Sequence, residues 1–161
     1  YFTADDHESL ILRPKTFGDD ATPAGNGIAA RVLLRLGFLL AEPRYIDAAE
    51  RTLRAAWSLL ERYPQGHASL LMALDELTEP PTVVVLRGAG EDLDVWRAEI
   101  DKLYDPRRFV LGVPSEATGL PPALADKRPQ ARTVAYVCRG TTCSAPIETL
   151  GDLVRSLKGR D

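Results

Sequence analysis

The sequence predicts a mixed α and β chain: an antiparallel helical array over residues 1–80, then a small α/β unit over residues 81–161. Apolar residues recur at helical spacing as far as Leu77, whereas short β-branched runs take over from Thr82. Between them stands Pro80-Pro81, and consecutive prolines cannot continue a helix. Charge changes at the same place: residues 1–80 hold 8 basic and 12 acidic side chains, −4, and residues 81–161 hold 12 and 11, +1.

In the first half, an extended opening and a Gly/Asp/Thr/Pro loop lead to Ile28, Val32, Leu33, Leu36, Leu39 and Leu40, the apolar positions of a first helix. Pro43 ends it and suits the first turn of the next. The second helix carries Tyr45, Ala49, Leu53, Ala56, Trp57 and Leu60 on one side. On its other side, Asp47–Arg51 and Glu50–Arg54 place acid four residues before base, a solvated pattern. Tyr63-Pro64 breaks the run, and Leu70, Leu71, Leu74 and Leu77 mark a third helix. Connections this short force antiparallel neighbours.

In the second half, Thr82–Leu86 reads as a buried strand. Leu93, Trp96, Ile100 and Leu103 give a helical stripe, and Phe109–Val113 and Thr133–Val137 are further strands. The segment holding Pro114, Pro121, Pro122 and Pro129 reads as loop. A last helix follows Thr149, with Asp152 placed for a variant capping box and Gly159 at its end.

Composition excludes several classes. With 161 residues, 45% hydrophobic and 27% charged, the chain suits one packed domain rather than a disordered tail. A net charge of −3 argues against a nucleic-acid partner. No apolar run approaches the roughly 20 residues of a membrane span. Two cysteines are too few for a secreted disulfide scaffold and no signal peptide is visible, so the expected setting is cytoplasmic. The chain opens at Tyr1 without methionine, and Tyr1-Phe2-Thr3 reads as mid-strand; the expectation is a piece of a longer polypeptide.

Four constellations could carry chemistry. Arg87-Gly88-Ala89-Gly90 opens a helix as a phosphate loop would, but Glu91, Asp92 and Asp94 crowd that helix start and would repel phosphate, so it reads as a turn and no cofactor is expected. Cys138 and Cys143 flank Arg139-Gly140-Thr141-Thr142 just after a predicted strand. They can be unpaired structural thiols, a disulfide or redox pair with Arg139 lowering a thiolate pKa, or half of a zinc set that would need His7 and His67. Asp5-Asp6-His7-Glu8 clusters potential ligands, yet an extended segment sends alternate side chains to opposite faces, so a solvated turn is expected and no metal. Asp19 and Asp20, with Thr22-Pro23-Ala24-Gly25-Asn26, form a turn feeding a helix N-terminus. Asp20, Thr22 and Asn26 can satisfy orphan backbone donors there; alternatively Asp19, Asp20 and Asn26 face a cavity and bind a ligand such as sugar hydroxyls.

At these residues the chain resembles a known family. Thr3–Glu8, Arg13-Pro14-Lys15, Asp20–Pro23 and Gly25-Asn26, with Ala135–Gly140 and Cys143–Pro146 near the end, are similar to the thioredoxin-domain-containing proteins related to spermatogenesis-associated protein 20. The resemblance implies a long protein with a thioredoxin-like domain, a helical toroid like those of six-hairpin glycosidases, and a short α/β end. This chain would supply only the last part, so residues 1–80 would be the end of an α/α toroid. The family's Cys-x-x-Cys motif is absent, so thioredoxin activity is not assigned to these residues, and Ala24 stands where the family has Ser. Three helices cannot close a toroid. The implied partner is therefore the missing N-terminal part of the same polypeptide, or a second copy through self-association. The expected role is structural or interaction, with carbohydrate binding or turnover near Asp19 or Asp20, or thiol chemistry at Cys138 and Cys143, as the alternatives.

Overall fold

Small residues decide how the helices of the first half meet. The computed structural model describes Asp6, Glu8, Ile11 and residues 15–159. The expected extended opening at Tyr1–Thr3, and Asp5, His7, Arg13 and Pro14, lie outside the described residues. Two compact units divide the chain, residues 1–37 with 42–79 and residues 38–41 with 80–161.

In the helical unit, α1 (Gly25–Leu40) buries Gly27, Ala30 and Leu34 along one face. A Cβ added to Gly27 would lie 2.0 Å from Ser69 Oγ, so the absence of a side chain is what lets α1 approach α3 (Ala68–Thr78). Between them in sequence, α2 (Pro43–Arg62) starts on a proline whose missing N–H costs nothing at the first helical position. It buries Ala49, Leu53, Ala56 and Leu60 and packs against α3 after a single 3₁₀ turn at Pro64–Gly66. Its outer face holds the Arg54–Glu50 pair at 2.6 Å.

The large apolar residues of α1 behave otherwise. Ile28, Val32 and Leu36 are 43%, 48% and 36% exposed. Their spacing of four makes them one stripe, on the side of the helix away from Gly27, Ala30 and Leu34. The helical periodicity holds, and the seam toward the neighbouring helix is made by the small residues.

In the α/β unit, the β-branched run becomes β1 (Thr82–Gly88), buried along its whole length. The sheet has the order β2-β1-β3-β4, with β2 (Arg108–Pro114) parallel to β1 and β3 (Val134–Arg139) antiparallel to it. A parallel neighbour requires a crossover, which α4 (Gly90–Asp101) supplies. Alternation along β1 sends Val84 and Leu86 to one face, where they meet Leu93, Trp96 and Ile100 of α4 and Leu153 and Leu157 of α6 (Leu150–Lys158). Val83 and Val85 take the other face with Val113, Cys138 and Leu124. Phe38, Leu39 and Leu40, the last turn of α1, are half-buried against that second cluster.

The three expected strands are present: β1 and β2 each run two residues longer than expected, and β3 starts one residue later and ends two residues later. Two further short elements were not expected. One is the single turn α5 (Pro122–Ala125), begun by its prolines, which places Leu124 in the core. The other is β4 (Thr142–Cys143), paired antiparallel with the end of β3. The final helix starts as its sequence predicts: Thr149 Oγ1 accepts from the Asp152 N–H at 3.1 Å and donates to the Asp152 carboxylate at 2.6 Å.

Candidate functional site

The turn before α1 and the first turn of α1 place the three candidate residues in three different settings. Asp19 reaches across to α3. Its Oδ1 accepts from the Ala24 N–H at 2.7 Å and the Ser69 hydroxyl at 2.5 Å, and its Oδ2 accepts from the Ser69 N–H at 2.7 Å. The carboxylate thus answers orphan donors at the starts of two helices, where the peptide dipoles favour a negative charge. Burial pushes its pKa up, but the Ala24 and Ser69 bonds and the nearby His67 outweigh this and hold it below the ordinary value. Asp20 is exposed, and its N–H bonds to the Thr22 carbonyl at 3.1 Å. Asn26 is half-buried and donates from Nδ2 to the Thr16 carbonyl at 2.6 Å. Asp19 therefore does the capping that the sequence suggested for its neighbours, and Asp20 is the carboxylate facing water.

A buried ionic cluster joins the same two helices. Glu76 of α3 is 2% exposed, and its Oε1 accepts from Arg31 Nε at 2.6 Å and from Arg35 Nη2 at 2.6 Å. Arg35 Nε also donates to Oε2 at 3.0 Å. Arg31 and Arg35 are four residues apart, one turn of α1, so both reach the same carboxylate. Burial raises the Glu76 pKa, but the hydrogen bonds and charges of Arg35 and Arg31 overcome it and hold the carboxyl below its usual range. Sequence reading missed this cluster. The available signal was a lone carboxylate three residues beyond Ala73, in line with Ser69, Leu70 and Ala73 on the face that α3 buries.

The two cysteines are bonded, with an S–S distance of 2.03 Å, so unpaired thiols and a zinc set containing them are both set aside. Cys138 of β3 and Cys143 of β4 face each other across the hairpin. The pairs alternate: Val137 and Ser144, next along, share the Ser144 N–H···O bond of 2.8 Å, which leaves the cysteines at a position where side chains stand closest. Gly140 makes the turn possible, with φ 56° at the first position of a two-residue loop. Arg139 belongs to the opposite face of the pleat from Cys138 and pairs with Thr142, so it does not flank the sulfurs as the sequence suggested. His67, the other residue named for zinc, is buried and donates from Nδ1 to the Tyr63 carbonyl at 2.8 Å. Among the described residues no three His, Cys, Asp or Glu side chains gather as a metal-binding group.

At Gly88-Ala89-Gly90, a Cβ on Gly88 would fall 2.1 Å from Thr133 Oγ1, so the glycine makes room for a neighbouring side chain. Glu91 and Asp92 occupy the first turn of α4 and complement its dipole. No described helix is long and apolar enough to cross a membrane.

No protein-family model matches the chain. It is similar to spermatogenesis-associated protein 20 of Homo sapiens, at 27% identity over 145 residues. The matched region is 86% of this chain but 18% of that protein, so the similarity is distant and the chain spans under a fifth of the relative's length.

Proposed function

We propose that the chain is a docking part of a longer polypeptide, an end piece whose helical unit continues a helical toroid and packs against helices supplied by the remainder. The observation that carries this is the Ile28–Val32–Leu36 stripe, an apolar helix face left open opposite a face that is already packed. Scattered apolar residues on a surface are ordinary, but an aligned stripe marks an interface. Further helices of the same polypeptide are its occupant on this reading, because the similar human protein extends far beyond the matched region. A sugar-directed role, were the toroid to have one, falls to exposed Asp20, because Asp19 is committed to Ala24 and Ser69.

A single cysteine at Val32 tests the docking role. The two native cysteines are bonded to each other, so Val32→Cys adds one maleimide-reactive thiol. It should label rapidly in the 161-residue chain and slowly in the full natural polypeptide. Equal labelling in both would overturn the proposal.

A further inference from the structure

The Cys138–Cys143 bond is poorly placed to be a staple. It closes a loop between positions only five apart, and short loops remove the least freedom from an unfolded chain. The hairpin is already specified without it, by the Gly140 turn, by the Arg139–Thr142 pair and by the Ser144–Val137 hydrogen bond.

The two halves of the bond differ in access. Cys138 is 3% exposed and packed among Val83, Val85, Val113 and Leu124. Cys143 is exposed, at the end of β4, the last strand of the sheet. A reactant in solution can reach one cysteine and is kept from the other, which gives any exchange a fixed direction.

We infer that this pair is a thiol–disulfide exchange site for an external dithiol, with Cys143 the cysteine attacked and Cys138 the one released. One thiol of the dithiol loses its proton, and its sulfur attacks Sγ of Cys143. The Cys138–Cys143 bond breaks, and its electron pair goes to Sγ of Cys138, which takes up a proton; a thiolate would be unsolvated among the valines. The second thiol of the dithiol then loses its proton and attacks the mixed disulfide. This frees Cys143 as a thiol and leaves the dithiol oxidised to its own disulfide. The chain gains two electrons and two protons, and the dithiol loses them. The reduced hairpin keeps Cys138 as a small apolar core residue, so the fold survives the exchange.

The experiment uses the intact chain in native buffer, with dithiothreitol as the dithiol and glutathione as a single-thiol trap, read by mass spectrometry beside far-ultraviolet circular dichroism. The expected result is reduction with unchanged circular dichroism and a glutathione adduct on Cys143. In single-cysteine chains, the thiol left by Cys138→Ala should react with N-ethylmaleimide about tenfold faster than the one left by Cys143→Ala. Reduction that proceeds only in step with urea unfolding would show a structural staple, and an adduct found on Cys138 would reverse the assigned direction. Either result overturns the inference. Should a single-cysteine chain fail to fold, the intact chain still decides.

Discussion

The two units solve the same problem of apolar burial in different ways. In the α/β unit, Val84 and Leu86 look to one side of the sheet and Val83 and Val85 to the other, and all four are buried. A strand with apolar residues on both faces needs cover twice, and α4, α6, α5 and the turn at Phe38–Leu40 provide it locally. In the helical unit, α1 is also apolar on two sides, yet only its small-residue side is covered. The contrast teaches that apolar content alone does not mark a core. What marks it is the presence of an element to cover each face, and for the outer face of α1 none is at hand among the described residues.

The largest expected effect lies in the covered unit. Leu86→Ala removes a fully buried side chain between α4 and α6 and should destabilise the α/β unit by about 3 kcal/mol. The two tryptophans separate the units, Trp96 buried in the α/β unit and Trp57 exposed on α2. Urea melts of Trp57→Phe and Trp96→Phe chains carrying the change should show the Trp96 signal moving to lower denaturant.

Next in size comes Glu76→Gln, which removes the carboxylate charge that Arg31 and Arg35 share. Breaking a fully buried pair costs about 3–5 kcal/mol, but both arginines keep some water contact, so about 2 kcal/mol is expected, read by Trp57. The same cluster sets a pH dependence. The folded pKa of Glu76 lies below its unfolded value, so its contribution is complete above the ordinary 4.5 and is lost as pH falls through the lowered folded value. Asp19 acts with the same sign from its ordinary 3.8. Among the described residues the α/β unit buries no carboxylate; its buried polar side chains are Thr82, Arg87 and Thr133. Acid titration should therefore move the Trp57 signal at higher pH than the Trp96 signal, and Glu76→Gln should reduce that separation. Coincident transitions would place the weak point elsewhere.

Much of this architecture was legible because it is local. Three strands followed from short apolar runs, five helices from spacing and prolines, and the Thr149 cap from two residues three apart. What was missed depends on pairs distant in sequence. Glu76 looked like one more charge on α3 until two arginines more than forty residues earlier came within hydrogen-bond reach. Asp19 and Asp20 are indistinguishable in a string of letters, and only the position of Ser69 separates them. β4 is two residues long, too short for any period, and its existence depends on Gly140 turning the chain. The packed face of α1 went unread because hydrophobicity picks out Ile28, Val32 and Leu36, whereas close approach favours Gly27 and Ala30.

The smallest effect sharpens the comparison most. Val32→Ala trims an apolar side chain that is nearly half exposed, so little burial is lost in the chain alone. Alanine also has the better helix propensity, by up to about 0.7 kcal/mol over β-branched valine. The two terms oppose, and the unfolding free energy of the isolated chain, read from urea melts, should change by no more than about 0.5 kcal/mol in either direction. In the longer polypeptide proposed above, the same change should cost about 2 kcal/mol if helices cover the stripe, because a cavity then replaces two methyl groups in a packed seam. A large cost in the isolated chain would mean that the stripe is already covered there, and the contrast between the units would fail. A negligible cost in both would leave the stripe as surface and remove the reason to expect a docked partner.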